Sequence, residues 1–251
     1  MSQKEWFAEW FDSPYYHLLY QNRNDEEAKV FIEKLCAHLQ LAPQTAVLDL
    51  ACGKGRHSIT LAKLGFQVTG ADLAPNSIQL AKEAQSALDL DKLQFVVHDM
   101  REVIPNQHFG AVFNLFTSFG YFDDLAANQQ VCEAISQMLD PNGLLVIDFL
   151  NAQKVINNLV ASETVYRGDI RFDIKRWAND GHIYKEISIQ DPQLTAPVGP
   201  FTERVQALGL SDFHQLLEPK FELLQNFGSY HLDTFESSKS ERLILIAKKK
   251  L

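Results

Sequence analysis

From residue 46 onward, short and almost wholly apolar runs alternate with stretches of helical periodicity. Residues 46–50, 67–71 and 93–97 read as strands, with helices over 58–64 and 75–88 between them. Residues 110–116 and 144–149 continue the series, and the segment between them carries Leu125, Val131, Ile135 and Met138 at helical spacing. Strands apolar on both faces are what a parallel sheet covered by helices on each side requires, so the pattern predicts an α/β fold of βαβ units. Pro75 suits a first helical turn, and Asp140-Pro141-Asn142-Gly143 reads as a stop and turn.

The flanks follow other rules. Residues 25–40 put Phe31, Leu35 and Leu39 on one stripe with Ile32 beside it, the mark of a packed amphipathic helix. Residues 4–20 are dense in aromatics: Trp6, Phe7, Trp10, Phe11, Tyr15, Tyr16 and Tyr20. After Leu150 the rhythm becomes β-like over 164–177, 182–190 and 201–208. Asn179-Asp180-Gly181 signals a hairpin and 191–200 a Pro-containing loop. Residues 221–230 and 242–248 read as two closing strands, and Lys248 to Lys250 as a solvated tail.

Composition narrows the function. With 23 Lys and Arg against 32 Asp and Glu, the net charge of −9 disfavours coating a phosphate backbone or an anionic membrane with basic surface. Neither nucleic acid nor membrane is expected as a partner. No run approaches the 18 or so apolar residues of a membrane helix, and the first residues, Met-Ser-Gln-Lys-Glu-Trp, lack the regions of a secretory signal. The expectation is a cytoplasmic protein, monomer or homodimer. Three cysteines, Cys36, Cys52 and Cys132, stand at wide spacings without a CxxC pair, so neither a metal site nor a disulfide is expected.

The chemistry concentrates where residues 47–50 run into Ala51-Cys52-Gly53-Lys54-Gly55-Arg56-His57. Glycines let a ligand approach the backbone, and the free N–H groups at a helix start favour a polar or anionic group. Asp72 closes the second strand, nineteen residues after Gly53, where an acid can take both ribose hydroxyls as donors. The third strand leads into His98-Asp99-Met100, offering Asp99 to an adenine amino group and Met100 to the ring. A dinucleotide fingerprint would carry a third glycine where Ser58 stands. Asp49 would sit badly against a pyrophosphate and well against the ammonium of a methionine moiety.

Together VLDLACGKG, VTGADLAPNSIQLAK and FVVHDM resemble the first three cofactor motifs of class I S-adenosylmethionine-dependent methyltransferases, over roughly residues 45–150. The resemblance implies a Rossmann-like seven-stranded, mostly parallel sheet with an antiparallel last strand, an N-terminal helical lid and a small antiparallel β insertion. It divides the chain into the lid (1–44), the S-adenosyl-L-methionine-binding core (45–150), the β-rich insertion (151–210) and a C-terminal hairpin completing the core sheet (211–251). It implies Asp49, Ala51, Gly53 and Gly55 around the methionine portion, Asp72 at the ribose, and Asp99 at the adenine with Leu73 and Met100 on its two faces. Asn114, which the resemblance adds to the cofactor-binding residues, opens the fourth motif region, which lacks the Asn-Pro-Pro-Tyr of amino-methylating nucleic-acid enzymes. Ala51 stands where many members carry glycine, a small change by side-chain size. Tyr16, Tyr20 and Arg23 are similar to the aromatic lid helix of small-molecule methyltransferases, which implies contact with the cofactor's methionine end and, for Tyr16, the reacting methyl.

The implied reaction moves a methyl group to a nitrogen or oxygen nucleophile of a small molecule by in-line displacement. Positioning supplies most of the rate. If a base exists, Tyr16, His17 and Tyr121 are the candidates, and the sequence does not rank them. His57 reads as a capping or packing residue and Cys52 as a small loop side chain. Two other readings stand beside this one: a non-catalytic S-adenosylmethionine-binding module, and another adenosyl-cofactor enzyme, aminopropyl-transferring or NAD-dependent.

Overall fold

The computed structural model describes residues 6–21, 25–88, 90–122 and 124–251. Five strands, β1 (Ala46–Leu50), β2 (Gln67–Asp72), β3 (Leu93–Val97), β4 (Phe109–Asn114) and β5 (Leu139–Leu150), run parallel. They are extended by β10 (Phe221–Phe227) and β11 (Arg242–Lys249) into one sheet of order β10-β11-β5-β4-β1-β2-β3. β11 lies antiparallel between β5 and β10. The expected seven-stranded, mostly parallel sheet with an antiparallel final strand is therefore the fold.

Alternate residues of each strand feed opposite cores. Val47, Ala111, Val146, Ile244 and Ile246 pack beneath α3 (Asp25–Leu39), α4 (Arg56–Lys63) and α5 (Pro75–Ser86), through Phe31, Ile32, Leu35, Leu61 and Ile78. Leu48, Val112, Leu145, Ile147, Leu243 and Leu245 face α6 (Leu125–Met138) and α8 (Leu210–Leu217), through Val131, Ile135, Met138, Phe213 and Leu217. At about 25 cal/mol per Å² of apolar surface, two-sided burial of this kind is the main favourable term in the fold.

A second sheet of four antiparallel strands, β6 (Ser162–Arg167), β7 (Ile170–Asn179), β8 (His182–Gln190) and β9 (Val198–Gln206), has a third core of its own. Phe172, Ile174, Ile187 and Ile189 pack there against Trp10 of α1 (Trp6–Trp10) and Leu19 of α2 (Pro14–Leu19). The N-terminal aromatics thus cover the small sheet as well as the large one.

The differences from expectation are local. The run at 164–177 holds a hairpin turn at Gly168 and Asp169, with Gly168 at φ +58°; two turn residues are too few to interrupt the β-like composition around them. The turn at Asp140–Gly143 exists, but as a bulge inside β5: Leu139 pairs with Phe109 and pairing resumes at Leu144 with Ala111. α7 (Ala152–Asn157) and α8 differ from the expectation, because helices of six and eight residues give little periodicity to read. Lys248 and Lys249 belong to β11 rather than to a tail, and Lys249 Nζ donates to the Leu139 carbonyl at 2.7 Å.

Candidate active site

Where β1 ends, the chain turns through three left-handed residues, Ala51 (φ +63°), Gly53 (φ +56°) and Gly55 (φ +79°), before α4 begins at Arg56. The two glycines serve different purposes. A Cβ on Gly53 would meet nothing within 4 Å, so its missing side chain leaves open space; a Cβ on Gly55 would lie 2.4 Å from Phe95 Cζ. Ala51 is the costly member. An alanine held at φ +63° carries strain of about 1–2 kcal/mol that glycine would not, so the exchange is not the small change that side-chain size implies.

Two acids hold this loop. Asp72, at the end of β2, accepts from Gly53 N at 2.8 Å and from Ala74 N at 2.9 Å. Burial raises its pKa, and those backbone donors oppose the rise. Asp49, 1% exposed, accepts from Ser58 Oγ at 2.5 Å. Burial pushes its pKa up to about 6 against the Ser58 hydrogen bonds, with nearby Asp72 adding to the rise. Ser58 therefore has a positive role where a third glycine would stand: its hydroxyl holds the β1 acid, and it is wholly buried.

Asp99 follows β3 and is paired with Arg101, through its backbone N at 2.9 Å, Nε at 3.0 Å and Nη2 at 2.6 Å. Burial alone would raise its pKa; the Arg101 bonds and charge outweigh that and hold it below the usual carboxylate value. Asn114 closes β4. Fully buried, it donates from Nδ2 to the Leu50 carbonyl at 3.1 Å and ties the ends of β4 and β1 together. Its Oδ1 has no hydrogen-bond partner among the described residues.

A cavity of about 690 Å³ opens over these strand ends. Tyr16, Tyr20, Ala51, Gly53, Asp72, Leu73, Asp99 and Met100 all border it. Asp49, Gly55 and Asn114 do not: they lie behind the loop, where they shape it without reaching the cavity. Arg23 lies outside the described residues. His17 and Tyr121 border the cavity too, as do His57, whose expected role is capping or packing, and Cys52, expected as a small loop side chain. Burial drives the Cys52 thiol well above its ordinary pKa, so it is no thiolate.

Other residues of the wall were missed. Phe116 follows β4 at φ +64°, beside Thr117 at φ +62°, and Arg56 stacks over its ring at 4.5 Å. Behind it the buried Asp148 accepts from Phe116 N at 2.9 Å, Arg242 Nε at 2.7 Å and Tyr230 Oη at 3.2 Å. Glu203, on β9, reaches the cavity from the second sheet. No local pattern marks it, because its neighbours here are distant in sequence.

Residues 41–192 match the family model described as a methyltransferase domain. The chain belongs to the methyltransferase-domain family. Among relatives of this methyltransferase, YqeM of Bacillus subtilis (strain 168), a protein named as a methyltransferase, is 26% identical over 220 residues, 81% of this chain and 83% of that one. Seven further relatives are matched over 44% to 59% of their own length. Among solved structures, an S-adenosylmethionine-dependent methyltransferase from Clostridium acetobutylicum ATCC 824 superposes with a TM-score of 0.79 at 18% identity, covering 93% of this chain and 95% of that one. CalS10 from Micromonospora echinaspora, solved with S-adenosylmethionine bound and named an amino pentose methyltransferase, gives 0.69 at 18%, covering 95% and 98%.

The methyltransferase depends on S-adenosyl-L-methionine, and the residues present suit that cofactor. Gly53 leaves space for a ligand against the loop, and Asp72 is a carboxylate at the cavity wall with capacity for further donors. No helix among the described residues is long and apolar enough to cross a membrane.

Proposed function

We propose that this methyltransferase moves the methyl group to a nitrogen or oxygen nucleophile of a small molecule by in-line displacement. One observation carries the reading: a single cavity is bounded by the strand-end residues Gly53, Asp72, Leu73, Asp99 and Met100 and also by an aromatic wall of Phe11, Tyr16, Tyr20 and Tyr121. Its volume falls in the range of small-molecule sites. Bound there, the cofactor supplies an electrophilic methyl group on a sulfonium sulfur.

The chain's own residues bind, orient and exclude water. In this reading Asp72 receives the ribose hydroxyls while keeping Gly53 and Ala74 in place. Leu73 and Met100 pack on the adenine, and Asp99, with Arg101 already on it, uses its remaining lone pair for the amino group. Asp49, Gly55 and Asn114 are positioning residues that fix the loop from behind. Tyr16, in ring contact with Phe11 at 5.0 Å and Tyr20 at 4.9 Å, is assigned to the reacting end, where the aromatic wall keeps water away. CalS10, named an amino pentose methyltransferase, supports an acceptor of modest size.

Calorimetric titration with S-adenosyl-L-methionine, followed by assay of S-adenosylhomocysteine formation over amines, phenols and carboxylates, tests the reading. Saturable binding and turnover with one of these classes is expected. Failure of folded protein to take up the cofactor would overturn it.

A further inference from the structure

We infer that Glu203 binds the acceptor, and that the acceptor carries a protonated amine held where the second sheet meets the N-terminal helices. The inference rests on the methyl-transfer reading above and narrows its acceptor class.

Glu203 is held rigidly. Its Oε1 accepts from Trp10 Nε1 at 2.7 Å and from Tyr20 Oη at 2.7 Å, and Trp10 is fully buried. These two donors fix the carboxylate at the cavity wall while occupying one of its oxygens. The other, Oε2, has Lys185 Nζ at 3.8 Å, an ion-pair separation too long for a hydrogen bond. Lone pairs on Oε2 are therefore left for a donor inside the cavity. With its side chain 19% exposed, Glu203 is screened far less than a surface acid.

The surroundings select the sign of the donor's charge. Phe11, Tyr16, Tyr20 and Tyr121 wall the cavity, and aromatic faces attract cations. The protein's own ammonium illustrates this, since Lys185 Nζ lies 4.4 Å from the Tyr20 ring centroid. The cationic residues of the wall, Lys29, Lys54, Arg56 and Lys63, come instead from α3, the glycine loop and α4. An ammonium beside Glu203 gains a carboxylate and ring faces together. A neutral hydroxyl gains a hydrogen bond alone, and a carboxylate would face a like charge.

The test uses the full chain and three probes of one shape: benzylamine, benzyl alcohol and benzoate. S-adenosylhomocysteine binding is first measured by itself. The probes are then titrated, with and without it, by calorimetry and by quenching of tryptophan emission, to which Trp10 contributes. Benzylamine should bind at least tenfold more tightly than benzyl alcohol, and benzoate more weakly than either. Glu203→Gln keeps an oxygen for Trp10 and Tyr20, and should abolish the preference for the amine while changing S-adenosylhomocysteine affinity less than twofold. Lys185→Met, which removes a competing cation, should tighten benzylamine at least threefold. Equal binding of amine and alcohol by the unmodified protein, tighter binding of benzoate, no binding of any probe, or an amine preference surviving in Glu203→Gln would each overturn the inference. Should Glu203→Gln fail to fold, the unmodified protein's selectivity decides. Absence of S-adenosylhomocysteine binding with the amine preference intact would sink the methyl-transfer reading, and with it the acceptor role, and leave Glu203 as an ammonium-binding residue alone.

Discussion

The two walls of the cavity are built in opposite ways. At the strand ends of the large sheet, backbone and short acids do the work: Gly53, Asp72, Asp99 and Met100 follow one another within a single run of βαβ units. The opposite wall is made of large side chains on elements far apart in sequence, with Trp10 and Tyr20 meeting Glu203 of β9. The contrast teaches that the wall proposed to hold the cofactor is a local property of successive loops, whereas the wall proposed to hold the acceptor depends on how separate parts pack. Changes on one side should therefore alter affinity for the cofactor, and changes on the other should alter choice of acceptor.

The largest effect is expected between the walls. Arg242→Ala leaves the Asp148 carboxylate buried without its guanidinium and loosens Phe116, so denaturant unfolding should register a loss of about 3–5 kcal/mol. A loss near zero would mean that Asp148 is satisfied by Phe116 N and Tyr230 alone. Next, the two glycines of the loop should separate stability from binding. Gly55→Ala drives a methyl group into Phe95 and should cost about 2–3 kcal/mol of stability. Gly53→Ala should cost about 1 kcal/mol in strain, and weaken the cofactor by filling its space. Equal effects of the pair on calorimetric affinity and on melting would contradict the division between cavity and support.

Asp72→Ala should weaken cofactor binding by about 1–3 kcal/mol, through lost charged hydrogen bonds and a loop freed at Gly53. Benzylamine selectivity should survive it, since Glu203 is untouched; unchanged cofactor affinity would contradict the ribose assignment. The smallest effect is in pH. Asp49 has a folded pKa of about 6 against an ordinary 3.8, so the folded state binds the extra proton between those values. Its contribution to stability is fully present below about pH 4 and is lost as pH rises through about 6. A cation bound near Asp49 and Asp72 reverses the preference. Cofactor affinity should thus rise as pH passes upward through 6, with protons released, measurable by calorimetry in buffers of different ionisation enthalpy. A flat profile would remove Asp49 from the electrostatics of the site.

Much of this wall was legible because the physics is local. An apolar strand, a glycine loop and an acid at the next strand end must fall at one edge of a parallel sheet, so spacing and resemblance alone put Gly53, Asp72, Leu73, Asp99 and Met100 there. Asp49, Gly55 and Asn114 were drawn from the same motifs, yet they lie behind the cavity. A motif says which residues matter, but not which of them face the ligand. The strain at Ala51 was hidden for a related reason: side-chain size is visible in a sequence and φ is not.

By itself, then, the sequence determined the βαβ order of the core, the family and the loop-bearing edge of the sheet, since each depends on residues a few positions apart whose periodicity and turn chemistry act locally. Tertiary structure alone decided that Glu203 belongs to the cavity, that Trp10 and Tyr20 pin its carboxylate, and that Arg242 braces Phe116 through Asp148. Those contacts join residues 193, 183, 94 and 32 positions apart. Close packing of the folded chain, rather than any nearby pattern, brings them within hydrogen-bonding distance.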